Sequence, residues 1–150
     1  MKIALGCDHV GFDLMCEVKH HLDKRGVPYV DFGTYSKESC NYPVFGKAAA
    51  EAVASGECDR GIVICGTGIG ISIVANKIKG IRAALCCDCY TAEMCRKHND
   101  ANILAMGGRV TDPELAILIT DIFLDTEAEG GRHAERRAMI AEIENDERKK

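Results

Sequence analysis

Short apolar runs alternate along the chain with longer segments whose apolar residues recur at helical spacing. The runs are Ile3–Cys7, Tyr29–Phe32, Gly61–Cys65, Ala83–Cys86 and Ile103–Met106. A continuous run, as opposed to strict alternation, is the pattern of a strand covered on both faces, and a helix between consecutive strands makes them parallel. The pattern therefore predicts an α/β protein: a single-domain, Rossmann-like three-layer sandwich with a five-stranded parallel sheet flanked by helices. The first helix, Phe12–Lys24, places Leu14, Met15, Val18 and Leu22 on one face and stops at Gly26-Val27-Pro28. A second covers Phe45–Ala54, and a third runs from about Ile69 to Lys77. The helix after Met106 can be capped by Thr111 or Asp112, carries Pro113 in its first turn and buries a face within Leu115–Leu124. A last helix follows Gly130-Gly131, where Arg132 and Arg136 lie four residues apart in line with Met139, Ile140 and Ile143. That alignment predicts that both guanidinium groups face protein, not bulk water.

Composition narrows the picture. With 150 residues and 47% hydrophobic content, the chain can bury one proper core, and no linker or repeat divides residues 1–150. The charged stretch 144–150 reads as a solvated, fraying tail. A net charge of −4 argues against general nucleic-acid binding. The start, Met1-Lys2-Ile3-Ala4-Leu5-Gly6, reads as a strand, not an export leader. The longest apolar stretch, Leu115–Leu124, is interrupted by Thr120 and Asp121 and is too short to cross a bilayer. Nine cysteines without an export signal point to free thiols in a reducing cytoplasm, with neither membrane nor nucleic acid as partner.

The chemistry gathers at Cys65-Gly66-Thr67-Gly68-Ile69-Gly70, where an apolar strand delivers a cysteine into a glycine-rich turn. Glycines let backbone N–H groups approach a ligand, and the following helix would aim its positive dipole end at the same point and favour a thiolate. Cys65 is thus a candidate base beside an anion cradle, with Thr67 as a further donor; a buried structural cysteine in a tight connection is the alternative. The spacing does not match G-x-G-x-x-G, and no Walker lysine follows, so a nucleotide site is not indicated. Ligands of open α/β sheets sit beyond the carboxyl ends of the strands. The first strand is followed by Cys7-Asp8-His9 and the fifth by Gly107-Gly108-Arg109, while the helix after the fourth ends at Arg96-Lys97-His98-Asn99-Asp100. All of these are expected at one crevice, although each histidine or arginine alone also fits a structural hydrogen bond. Arg132 and Arg136 suit either a phosphate or an ion-pair network with Glu127, Glu129 or Glu135. Cys86, Cys89, Cys95 and His98 form a C-x2-C-x5-C-x2-H pattern, the spacing of a zinc-binding or redox-sensing module.

Taken in order, Gly6-Cys7-Asp8-His9-Val10-Gly11, Asn41-Tyr42-Pro43, Cys65–Gly70, Ala75-Asn76-Lys77, Arg96–Asp100 and Gly130-Gly131-Arg132-His133 resemble ribose-5-phosphate isomerases of type B over essentially the whole chain. The wider family includes isomerases of galactose 6-phosphate and allose 6-phosphate. The resemblance implies an aldose–ketose isomerisation of a phosphorylated sugar without metal or organic cofactor. It assigns Cys65 as the base, His98 as the ring-opening group and Asp8 as its helper. Thr67 and the backbone of Gly66, Gly68, Ile69 and Gly70 would hold the enediolate, with Tyr42 and Asn99 on the sugar. His9, Arg109, Arg132 and Arg136 would hold the phosphate, with His133 as a neighbour. It also implies a homodimer or tetramer with sites shared between subunits, the C-terminal helix contributing to the dimer and to the phosphate site. Asn41 stands where the family pattern often has aspartate, which bears on how the Tyr42 loop meets the sugar.

Overall fold

The computed structural model describes residues 1–146. In chain order its elements are β1 (Ile3–Cys7), α1 (Phe12–Arg25), β2 (Tyr29–Asp31), α2 (Tyr42–Ala54), β3 (Arg60–Cys65), α3 (Ile69–Ala75), β4 (Ala83–Leu85), α4 (Cys89–Lys97), β5 (Ile103–Gly107), α5 (Pro113–Asp125) and α6 (Arg132–Glu144). The five strands make one parallel sheet in the order β2-β1-β3-β5-β4. Since β1 connects outward to β2 while β3 lies on its other side, the chain reverses direction between β1 and β3. That is the place where the carboxyl ends of a parallel sheet part to form a crevice.

Alternation along the buried strands sorts their side chains onto two unequal faces. Ile3, Leu5, Ile62, Ile64, Leu104 and Met106 point to the face covered by α1, α4 and α5, where Phe123, Met15 and Leu22 complete a core of large residues. Ala4, Val63, Cys65 and Ala105 point to the face covered by α2 and α3. On this second face the helix comes very close. A Cβ at Gly6 would stand 2.6 Å from the Phe45 carbonyl oxygen, and one at Gly46 would stand 2.6 Å from Ile71 Cγ1. Small residues on both sides, Ala4 and Gly6 against Ala49, let α2 pack onto β1 at backbone distance, and Gly46 lets it close on Ile71 of α3.

Local chemistry sets the helix ends. Gly26 closes α1 at φ +64°. Asp88 accepts from Thr91 N–H at 2.7 Å to cap α4, and Asp112, not Thr111, caps α5 by accepting from Glu114 N–H at 2.9 Å. Helix α2 begins at Tyr42, three residues before its expected start, because Pro43 fits the first turn of the helix itself.

The last helix departs from expectation. Only His133 of α6 is buried, Arg132 and Arg136 are exposed, and Met139, Ile140 and Ile143 are 61%, 46% and 64% exposed. The apolar stripe exists, but α6 follows the final strand and lies beyond both covered faces of the sheet, so among the described residues it is covered only in part, with Ile140 and Ile143 beside Ile81 and Arg82. The expected tail begins inside this helix: Glu144 ends α6 and accepts from Gly80 N–H at 2.9 Å. The rest of that expectation, from 147 onward, lies outside the described residues.

Candidate active site

The carboxyl ends of β1, β3 and β5 border a cavity of about 420 Å³ lined by Asp8, Tyr42, Cys65, Thr67 and Arg109, with Gly66, Ile69 and Gly70 in its wall. Register explains the meeting: Cys7 pairs with Ile64, and Cys65 with Gly107, so the residues that follow these strands leave the sheet side by side. Asp8 is buried, and its Oδ1 accepts from the N–H groups of Val10 (3.0 Å) and Gly11 (2.9 Å). One carboxylate oxygen is thereby spent on the turn that starts α1, and Oδ2 is left for the cavity. Cys65 is 4% exposed, and its Sγ accepts from Gly68 N–H at 3.2 Å, so a donor is in place wherever the sulfur carries negative charge. Cys7, one strand away, differs: burial and then Asp31 push its thiol up to about 12, which keeps it protonated and inert.

The three glycines of the turn serve three purposes. Gly68 sits at φ +78°, and a Cβ there would stand 2.5 Å from Leu85 Cδ1 and 2.8 Å from the Met106 carbonyl carbon. Gly70 leaves room for the ring of Tyr42, whose hydroxyl would lie 2.8 Å from a Cβ. Gly66 meets only ordinary contacts, with Val10 and Arg109 at 3.6–4.0 Å, so its bare backbone serves the cavity and not the packing. Thr67 is exposed, and its hydroxyl accepts from Ile69 N–H at 3.3 Å at the start of α3. His9 accepts from Cys40 N–H through Nδ1 at 3.2 Å, which leaves the proton of the neutral ring on Nε2.

Four of the expected site residues lie elsewhere. His98 and Asn99 follow α4 and precede β5, so they stand at the amino edge of the sheet, whereas Cys65 stands beside Gly107 at the other end of the same strand. From Ile103 to Gly107 the strand alone spans about 13 Å. The expectation of a single crevice overlooked that a crossover helix returns the chain to the opposite edge. Arg132 and Arg136 join His98, not Cys65, because α6 starts at that lower edge: Arg137 donates to the carbonyls of His98 (3.1 Å) and Glu129 (3.0 Å). The rings of His98 and His133 stack with centroids 4.0 Å apart. Arg82 holds Asn99 O and Asp100 O, and the buried Arg96 holds Asp100 and Ala101 O, so this corner is clamped from two sides. Arg82 and Arg137 were not singled out in the sequence; their role depends on backbone carbonyls, which leave no mark in it.

The cysteine pattern does not become a metal set. Cys89 opens α4 and His98 follows its last residue, nine residues on, which at the helical rise separates them by about 13 Å. Cys86 and Cys95 are buried in the core, where the hydrogen bond between them, together with burial, pushes the Cys86 thiol up. Among the described residues, the one group able to hold a metal is His98, Glu129 and His133.

A model of the family described as Ribose/Galactose Isomerase matches residues 3–140. The chain belongs to that family. Within it, the chain is 54% identical over 143 residues to the "Ribose-5-phosphate isomerase B" of Escherichia coli (strain K12), covering 95% of this chain and 96% of that one. The solved ribose-5-phosphate isomerase B of Clostridium thermocellum superposes with a TM-score of 0.95 at 59% identity, over 96% of this chain and 97% of that one. Another member of the family, from Mycoplasma genitalium and solved with bound ribulose-5-phosphate, gives a TM-score of 0.91 at 37% identity, with 97% of each chain covered. Among the described residues no helix is long and apolar enough to cross a membrane.

Proposed function

We propose that the chain is a ribose-5-phosphate isomerase of type B, interconverting ribose 5-phosphate and ribulose 5-phosphate with no cofactor. The observation that carries this reading is Cys65: a buried sulfur at the mouth of the β1/β3 crevice, facing a cavity of about 420 Å³ and already accepting from Gly68 N–H. In the open-chain aldose the Cys65 thiolate takes the proton from C2. The electron pair moves into the C1–C2 bond and charge develops on the carbonyl oxygen. N–H groups of residues 66–70 and the Thr67 hydroxyl stabilise that charge; the proton of the C2 hydroxyl passes to the C1 oxygen, and the proton held by Cys65 returns to C1, leaving the carbonyl at C2 of the ketose. The free oxygen of Asp8 and the Tyr42 hydroxyl orient the sugar, while Arg109 and the Nε2–H of His9 meet the phosphate.

Ring opening breaks the bond from C1 to the ring oxygen as the C1 hydroxyl loses a proton and the ring oxygen gains one, and His98 is the group that carries this transfer. Because His98 and Asn99 stand at the opposite edge of the sheet from Cys65, a second copy of the chain supplies them, together with Arg132 and Arg136. The exposed stripe Met139, Ile140 and Ile143 on α6 is the apolar surface such a dimer would cover. One experiment tests the chemistry and the sharing together. Cys65→Ala and His98→Asn, each inactive alone on ribose 5-phosphate, are unfolded, mixed in equal amounts and refolded. A dimer containing one of each has one site with both native residues, so the mixture should regain about a quarter of wild-type activity. No recovery would mean that each site lies within one chain; activity of Cys65→Ala alone would remove the assigned base. Galactose 6-phosphate, run alongside, reports whether the pocket takes a sixth carbon.

A further inference from the structure

The lower edge of the sheet carries a second organised cluster. Glu129, His133 and Arg137 recur every fourth residue where the connection after α5 turns into α6. This connection is tied to the end of α4: Glu129 N–H donates to Lys97 O at 2.8 Å, and the Arg137 guanidinium grips the carbonyls of His98 and Glu129. His133 Nε2 lies 3.7 Å from Glu129 Oε2, and its ring stacks on His98 at 4.0 Å with the planes 3° apart. One ligand atom from each of His98, Glu129 and His133 lies within 4.8 Å of the other two. Two charged imidazolium rings could not stack this way without strong repulsion.

We propose that His98, Glu129 and His133 form a binding site for one divalent cation of the zinc class, independent of the thiols of the chain. Two imidazoles and one carboxylate make a three-ligand set that leaves a fourth position open. Imidazole donors select zinc-like ions over magnesium or calcium. A tetrahedral ion spaces its ligand atoms by about 3.3 Å, so no pair of this group, all within 4.8 Å of one another, has to close by more than about 1.5 Å. The means are present: the Glu129 side chain is half exposed and can swing, and the His98 ring can tilt off the stack. Arg132 and Arg136 on the same helix oppose a cation, so binding depends strongly on the Glu129 charge. One consequence rests on the isomerase reading. An ion on the His98 ring nitrogen occupies the atom that carries the proton in ring opening, so zinc inhibits turnover of the cyclic sugar.

Equilibrium dialysis of the full chain against Zn2+ alone tests the site without any turnover. Wild type should bind one ion more per chain than Glu129→Gln/His133→Gln, and Glu129→Gln alone, a change at an exposed side chain, should raise the Kd at least about tenfold. Co2+ at one equivalent should give visible ligand-field bands without thiolate charge-transfer absorption. Equal loading of wild type and double variant, or a thiolate band at one equivalent, overturns the site. In the activity arm, Zn2+ should inhibit wild type more strongly than Glu129→Gln; equal inhibition overturns the proposed effect on ring opening. A chain that binds zinc as described yet does not isomerise ribose 5-phosphate would overturn the functional reading and leave the site standing.

Discussion

The two ends of the sheet carry polar clusters built in different ways. At the carboxyl end, Asp8, Cys65, Thr67 and Arg109 each lie within two residues of a strand terminus, and parallel register alone brings them together. At the amino end, His98, Glu129 and His133 come from a helix cap, a connection and the first turn of α6. They meet because Arg137 and Glu129 N–H tie those pieces together. The first cluster rests on the most constrained backbone of the molecule. The second rests on one helix that its own chain scarcely covers, so it can adjust to a partner subunit or an ion in a way that the turn at Cys65 cannot.

The largest expected effect tests whether the upper cluster holds the chemistry. Cys65→Ala should lower kcat by about 10²–10⁴-fold, the usual worth of a positioned base, with an unchanged denaturation midpoint. Iodoacetamide should inactivate the wild type by modifying Cys65 and spare Cys7, whose buried thiol is pushed up to about 12; peptide mass mapping reads this directly. Modification of Cys65 with turnover intact would break the assignment.

Next comes rigidity. Gly68→Ala forces a side chain into φ +78° and against the Met106 backbone, and should cost at least about 1–3 kcal/mol in urea denaturation. Gly66→Ala, where a Cβ meets only ordinary contacts, should cost less than about 0.5 kcal/mol yet crowd the cavity and raise KM. Equal stability of the two variants would show that the turn is less constrained than its geometry implies.

For the lower cluster the effects are smaller. Arg132→Ala and Arg136→Ala should each raise KM for the sugar phosphate by about tenfold, with kcat and stability little changed, since both side chains are exposed. An unchanged KM in both would leave them to the surface. The smallest effect is one of pH. The pKa of His133 is lowered in the folded chain, so below the unfolded value of 6.5 the unfolded state takes up the proton first. The contribution is fully present above 6.5 and is lost as pH falls through the folded value. Denaturation midpoints should therefore drop more between about pH 7 and about pH 5 in wild type than in His133→Asn.

Much of the upper cluster was legible because it depends on neighbours in sequence. The runs at Ile3–Cys7 and Gly61–Cys65 marked their strands, and the glycines after Cys65 marked the turn. The rule of the strand carboxyl ends placed Asp8 beside it. The same rule misled at His98, where chemistry at the end of a helix was assigned to the crevice although a crossover helix ends at the far edge. The stripe Met139, Ile140 and Ile143 was read correctly as an apolar face, but Arg132 and Arg136 in line with it, expected to face protein, are exposed in the chain; periodicity reports the face of a helix but not what lies against it. Cys86, Cys89, Cys95 and His98 illustrate the same limit, since matching spacing along α4 leaves its ends about 13 Å apart.

By itself the sequence determined the class of the fold, the five strands in order, and the cysteine in its glycine turn, because buried strands and tight turns demand particular residues at adjacent positions. Only the tertiary structure decided the strand order β2-β1-β3-β5-β4, the separation of Cys65 from His98, and the meeting of His98 with Glu129 and His133. These depend on which elements lie side by side, and that is set by the packing of large side chains on one face and close backbone approach on the other, over distances along the chain that no local pattern records.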